Sequence, residues 1–305
     1  MTLNYPSDVV FIKNIPFVVF TKANSNIYKR PFTDVINDEA PIEIIELTKV
    51  KIKNHTPPAG FIYHQAYCGS TLVAQMFSEV NEYRAVSEAL IINKILDNSY
   101  GCKESEKKLF ANYFKLCVSL FNDVTAKQQL ILKFTSWNIF NFEIIRLAFP
   151  SVPWIFLYRD AIEMMHSVKD KNNDFKKMYK YSTNKACDFL DVSEAEFNKM
   201  GEIEFNTKFI AAKEKHAIIH IKKGGLFVNL NELPSAVYSK ICPHFNIVLS
   251  NRQKEILVNR GKYNSKRDLH IEFTPKKYIN DEKIEKAALK WLQPCVNEIK
   301  LISKG

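Results

Sequence analysis

No stretch of this 305-residue chain approaches the ~20 consecutive apolar residues of a membrane-spanning helix, and its start, MTLNYPSDVVFIKN, has no basic segment leading into a long apolar run. Those absences predict a soluble, cytoplasmic protein with no membrane partner. Cysteine occurs six times, at Cys68, Cys102, Cys117, Cys187, Cys242 and Cys295, but never as a CxxC pair or in a framework spacing. Reduced, mostly buried thiols are expected. Arginine is scarce: of 43 basic residues only seven are Arg. The formal charge of +10 favours anionic ligands in general. It is carried by scattered lysines with no basic stripe interleaved with aromatics, which argues against a nucleic-acid partner. GxSxG and HExxH are absent as well. His216 and His220 have the four-residue spacing of metal ligands on a helix but no third ligand of clear placement, so no metal is expected.

What is present describes a globular chain, 46% hydrophobic, with ample material for a core. HTPPAG at 55–60 reads as a linker, which divides an N-terminal extension, 1–55, from a larger domain, 56–305. The extension holds short apolar runs, VVFIKNIPFVVF and IEIIEL, that read as strands or an irregular appendage. Beyond the linker, strands alternate with helices. GFIYHQ (60–65), RAVSE (84–88), QLILKF (129–134), PWIFLY (153–158) and LFVNL (226–230) are the strand candidates. Helices are expected over 71–80, 104–124, 138–149, 161–168, 193–223, 234–245 and the C-terminal segment. Strands with no polar face, alternating with helices, imply an α/β fold: a three-layer α/β/α arrangement with a central parallel sheet covered on both sides. The segment from about 169 to 223 reads as a helical insert.

The chemistry centres on GFIYHQAYCGSTLVAQMFSEV, 60–80, a strand, a small-residue loop and a helix. A loop that opens a helix at the end of a parallel strand offers unpaired N–H groups and a positive dipole end to an anion. In YCGST, Tyr67 to Thr71, Gly69 allows close backbone approach and Ser70 and Thr71 add hydroxyls beside Cys68. The Lys of a GxxxxGK[ST] loop is missing, which argues against a kinase or ATPase. Taken alone, the loop fits a tight turn in the core equally well. A second element changes that balance: PWIFLY ends in Arg159, and Ser167 follows eight residues later. An Arg at a strand end offers a bidentate fork for a phosphate, and a hydroxyl on the next helix can close on the same anion.

With these two motifs in this order, the chain resembles the PAPS-dependent sulfotransferases, whose fold is P-loop NTPase-like. The resemblance covers about residues 60 to 265, including LAFPSVPWIFLYRDAIEMMHS and LFVNLNELPSAVYSKICPHFNI. It implies that Tyr67, Cys68, Gly69, Ser70 and Thr71 hold the 5′-phosphosulfate of PAPS (3′-phosphoadenosine-5′-phosphosulfate) and that Arg159 and Ser167 hold its 3′-phosphate. It also implies a closing loop at 259–266 with Arg260 and Lys262 near phosphate. The implied activity is transfer of a sulfuryl group from PAPS to a hydroxyl or amine of a small-molecule acceptor, leaving PAP, in line and without a metal.

Two departures stand out. Many members carry Lys or Arg where this chain has Tyr67. Lys133, aligned with a lysine that cytosolic members place beside the sulfuryl group, is expected to supply that charge. The cytosolic members' catalytic His falls on Thr135, so Glu88 in RAVSEAL, where other branches place a Glu, is expected to be the general base. Tyr63, Phe134 and Trp137 fit an apolar acceptor pocket or the core. Two alternatives stay open: another P-loop nucleotide enzyme such as a small-molecule kinase, and a catalytically inactive PAP-binding protein.

Overall fold

The structure, a computed structural model, describes residues 2–33, 40–122, 128–171, 174–265 and 278–304. The chain begins with an antiparallel hairpin, β1 (Thr2–Ile12) and β2 (Ile15–Asn24), to which β3 (Glu43–Glu46) adds as an edge. Lys13 and Asn14 turn the hairpin with φ of 51° and 64°, the left-handed pair that matches strand twist. Tyr5, Val9 and Val18 of this sheet are buried in the same apolar cluster as the strands that follow.

The main sheet has five parallel strands in the order β5-β6-β4-β7-β8: β4 (Gly60–His64), β5 (Tyr83–Ser87), β6 (Gln129–Lys133), β7 (Trp154–Tyr158) and β8 (Gly225–Asn229). Side chains alternate across a strand, and here both sets are apolar. Phe61, Tyr63, Leu130, Leu132, Trp154 and Phe156 enter one core, whereas Ile62, Ile131, Ile155 and Leu157 enter the other. The first strand of the sheet, β4, lies at its centre. Successive strands are laid down on one side of it and then on the other, so the crevice at its C-terminal end is the switch point where open α/β sheets bind ligands.

The helices are α1 (Ser70–Ser78), α2 (Leu90–Asn98), α3 (Lys107–Phe121), α4 (Phe142–Ala148) and α5 (Ala161–Asp170). Between α5 and β8 come α6 (Phe175–Met178), α7 (Thr183–Leu190), α8 (Glu194–Lys199) and α9 (Glu202–His220). Ser193 and Glu196 form the capping box that opens α8. After β8 come a wide turn, Val237–Ile241, then α10 (Cys242–His244), α11 (Asn251–Arg260), α12 (Glu282–Ala287) and α13 (Gln293–Ile302). The expected helix at 138–149 is a 3-10 segment, Ser136–Asn141, before α4 begins. The expected 234–245 helix is likewise broken, running through the wide turn into α10. Helix α9 is buried on nearly every side, from Phe205 and Phe209 to Lys213, Glu214 and Ala217, so it has no amphipathic stripe. All six cysteines are free thiols, and among the described residues no helix is long and apolar enough to cross a membrane.

Candidate functional site

The loop after β4 bends sharply. Ala66 and Tyr67 take φ of 114° and 45°, and Gly69, the N-cap of α1, takes 84°. Left-handed backbone at two consecutive non-glycine residues costs of order 1–3 kcal/mol each and is held only where the surroundings over-determine it. At Gly69 a Cβ would also lie 2.6 Å from Leu233 Cδ1 and 2.8 Å from Leu230 Cδ1, so glycine fits both the angle and the space. The consequence is that Ser70, Thr71 and Leu72 open α1 with N–H groups that no helical carbonyl can reach. Cys68 turns its thiol inward to the carbonyl of Leu157 at 3.1 Å, which leaves its main chain for the loop. Burial pushes that thiol's pKa up, so it stays protonated.

The second motif meets the first. Arg159 Nη1 donates to Ser167 Oγ at 2.8 Å and reaches the Tyr67 carbonyl at 3.4 Å, while Nε pairs with Glu163 at 3.0 Å. Arg159 lies between the end of β7 and the Asp160 cap of α5, and Glu163 and Ser167, one turn apart on α5, present the same face to it. Tyr278 completes the group, although nothing in its surrounding sequence marks it. Its hydroxyl lies 2.8 Å from Ser167 Oγ, and its ring stacks on His166 and sits 5.5 Å from the Arg159 guanidinium. The C-terminal helices are pinned to α5 by Lys169 to Asp281 and Lys300 to Asp160, both at 2.6 Å, and by His166 to Glu285 at 3.5 Å.

Lys133 and Glu88 form an ion pair with each other. Parallel register sets Ser87 beside Lys133, and the Glu88 amide donates to the Lys133 carbonyl at 2.8 Å. Glu88 takes φ of 55° there, a third strained residue at a strand end. The Lys133 side chain has no exposed surface and that of Glu88 has 18%. Burial acts to raise the Glu88 pKa, but Lys133 and then His64 outweigh it and hold the carboxyl at about 2. In this state Glu88 is a weak base and Lys133 a neutralised cation. His64 Nε2 is 2.9 Å from the Phe134 carbonyl, which can only accept, so Nε2 carries the proton and Nδ1 is buried without a partner among the described residues. Burial is the main reason its pKa falls to about 4.

Phe32 and Thr33 close one side of this pair. Thr33 donates its amide and hydroxyl to the Ser87 carbonyl at 2.9 and 2.7 Å, and the Phe32 ring lies 5.1 Å from Lys133 Nζ. Arg260 sits elsewhere than on a loop: it ends α11, is 5% exposed and reaches Gln75 of α1 at 3.5 Å. Its Nε is buried without an acceptor among the described residues. Lys262 is exposed, and Lys266, the end of the expected closing loop, lies outside the described residues. Tyr63 and Phe134 stack on each other at 4.6 Å deep in the core, while Trp137 is half-buried. His220 stacks flat on Phe142 at 4.2 Å and His216 meets Phe140 edge-on. A cavity of about 430 Å³ between β2, β3 and α3, lined among others by Phe20, Lys49, Lys51 and Leu120, includes none of these site residues.

Comparison with protein-family profiles and with curated proteins returns no match. Among solved structures, the chain is similar to a sulfotransferase from Alicyclobacillus acidocaldarius at 11% identity and a TM-score of 0.47, over 82% of this chain and 96% of that one. It is similar to the sulfotransferase domain of the Synechococcus PCC 7002 olefin synthase at 12% identity and a TM-score of 0.45, over 83% and 98%. It is also similar to the sulfotransferase domain from the curacin biosynthetic pathway, at 11% identity and a TM-score of 0.42, over 67% and 78%.

Proposed function

We propose that this chain transfers a sulfuryl group from PAPS to a hydroxyl or amine of a small-molecule acceptor. The observation that carries the reading is the contact between two anion-binding elements 92 residues apart, Arg159 with Ser167 against the main chain of Tyr67. A helix N-terminus and an arginine fork beside each other suit a ligand with two separated anionic groups. PAPS is such a ligand, and when bound it supplies an activated sulfuryl group. The donor set fits it: α1 opens on N–H groups outside its own helical ladder, Arg159, Ser167 and Tyr278 form one hydrogen-bonded cluster, and Arg260 Nε is buried without an acceptor among the described residues.

In this reading the loop binds the 5′ end and Arg159 and Ser167 bind the 3′-phosphate. Lys133 stands beside the sulfuryl position and offsets charge there, and Glu88 takes the acceptor's proton. The ion pair between them means that Glu88 becomes a competent base only as Lys133 turns to another anion. Charge on the bound donor would therefore arm the base. Phe32 walls the same site, which favours an apolar or aromatic acceptor. The low pKa of Glu88 in the free chain favours the second reading, a PAP-binding protein without transferase activity.

Calorimetric titration with PAP in EDTA tests the proposal. Wild-type chain is expected to bind and Arg159→Ala to lose binding by at least about a hundredfold, the loss of a bidentate charged contact. No binding by the wild type, or unchanged binding by the variant, overturns the assignment.

A further inference from the structure

Behind the loop lie three polar side chains with no solvent contact. Gln65, the residue between β4 and the loop, is gripped at both ends by neighbours on α9. Its side-chain NH2 donates to Glu214 Oε1 at 2.8 Å, and its backbone carbonyl accepts from Lys213 Nζ at 2.5 Å. Lys213 also donates to Ser136 Oγ at 3.2 Å and faces the rings of Phe175 and Phe209 at 5.1 and 5.0 Å. An ammonium with no exposed surface costs several kcal/mol in desolvation, and a Met or Leu would fill the same space. Yet the lysine sits directly behind a loop, 66–71, that carries no cation of its own, while Lys133 is neutralised by Glu88.

We propose that Lys213, carried by the helical insert, is the positive charge beneath the anion-binding loop, and that arrival of the anion draws a proton onto it. The inference rests on reading the loop as an anion site. Charge in a low-dielectric interior acts at longer range than at a surface, so a cation behind the loop stabilises an anion in front of it without touching it. Burial pushes the Lys213 pKa down to about 7, partly opposed by Cys68 and Glu214. Glu214, for the same reason, is pushed well above the usual carboxylate range, partly opposed by Lys213. The other titratable groups facing Lys213 are Cys68 on the loop and His64 on β4; burial keeps the thiol protonated and the imidazole neutral near pH 7. Lys213 is therefore the member of this cluster whose charge changes near neutrality. By reciprocity of linkage, an anion that favours the protonated amine takes up a proton, and its affinity falls as pH rises above about 7.

The test is calorimetric titration of PAP and, separately, inorganic sulfate from pH 6 to 9, in buffers of different ionisation enthalpy. Wild type is expected to take up a proton on binding either anion, approaching one per anion above pH 7, with affinity falling by up to about tenfold per pH unit. Lys213→Met is expected to bind more weakly at pH 6 and to show neither the uptake nor the fall. Lys213→Arg, charged throughout, is expected to hold the low-pH affinity up to pH 9. Equal proton uptake and equal pH slope in wild type and Lys213→Met overturn the inference. If sulfate shows the Lys213-dependent slope and PAP does not bind, the inference stands and the PAPS reading falls. If neither anion binds the wild type, both fall.

Discussion

Removing one partner of the Lys133–Glu88 pair is expected to cost unequal amounts, because the two side chains are unequally buried. Glu88 is held at about 2 against an ordinary 4.5, which at 1.36 kcal/mol per pKa unit makes its ionised form roughly 3 kcal/mol more favourable in the folded chain. Glu88→Gln forfeits that and leaves a fully buried ammonium without its counter-charge, so a loss of about 3–5 kcal/mol is expected at pH 7. Lys133→Met leaves a carboxylate with 18% of its side chain exposed, which water can partly solvate, and about 1–3 kcal/mol is expected. The double variant should recover most of the Glu88→Gln loss, a coupling of about 2 kcal/mol or more. Urea unfolding at pH 7 measures all four chains. The sign with pH follows from the depressed pKa: the stabilisation is complete above about 4.5 and fades as pH falls toward 2. The gap between wild type and Glu88→Gln should thus shrink by roughly 1.4 kcal/mol per pH unit below about 4.5. Additive single losses, or a gap unchanged down to pH 3, would refute the ion-pair account.

Other outcomes follow from neighbouring contacts. Glu88→Gln is expected to keep its affinity for PAP and to lose sulfuryl transfer; equal turnover would move the general base elsewhere. Tyr278→Phe removes one hydroxyl from the Arg159 and Ser167 cluster and should weaken PAP by about threefold to tenfold in calorimetry, with no loss counting against a ligand role for Tyr278. His64 has a folded pKa of about 4, below its ordinary 6.5, so the unfolded chain binds more protons between those values. Stability should rise across that interval by up to about 3 kcal/mol from this residue. Urea midpoints of wild type and His64→Gln that share the same slope from pH 4.5 to 6.5 would show that His64 contributes nothing to it.

The sheet was legible because β4, β6 and β7 are apolar on both faces, a pattern that parallel strands under two helical layers require and helices of that length do not. The loop and the Arg159 to Ser167 spacing were legible because their geometry is local: a strand end followed by one or two helical turns. Contacts set by register or by distant sequence were not. That Glu88 and Lys133 neutralise each other follows from Ser87 pairing with Lys133, and Tyr278 meets Ser167 across 111 residues. Lys213 was not legible because a lysine inside EIEFNTKFIAAKEKHAIIH reads as a solvated face, and only the burial of α9 on nearly every side shows otherwise. Helix α11 was hidden by polarity, since of its residues only Leu257 and Arg260 are buried. Its capping box, Ser250 with Gln253, was the signal that could have found it.

In the proposed function, the crevice beside β4 binds a sulfuryl donor with two anionic ends and needs no metal to do so. Thermal unfolding with PAP in EDTA, set beside ATP with Mg²⁺ at the same concentration, tests it most directly, since a ligand that binds only the folded chain raises its midpoint. A clear rise is expected with PAP, abolished in Arg159→Ala, and little or none with ATP and Mg²⁺. A larger rise with ATP and Mg²⁺ than with PAP would contradict it.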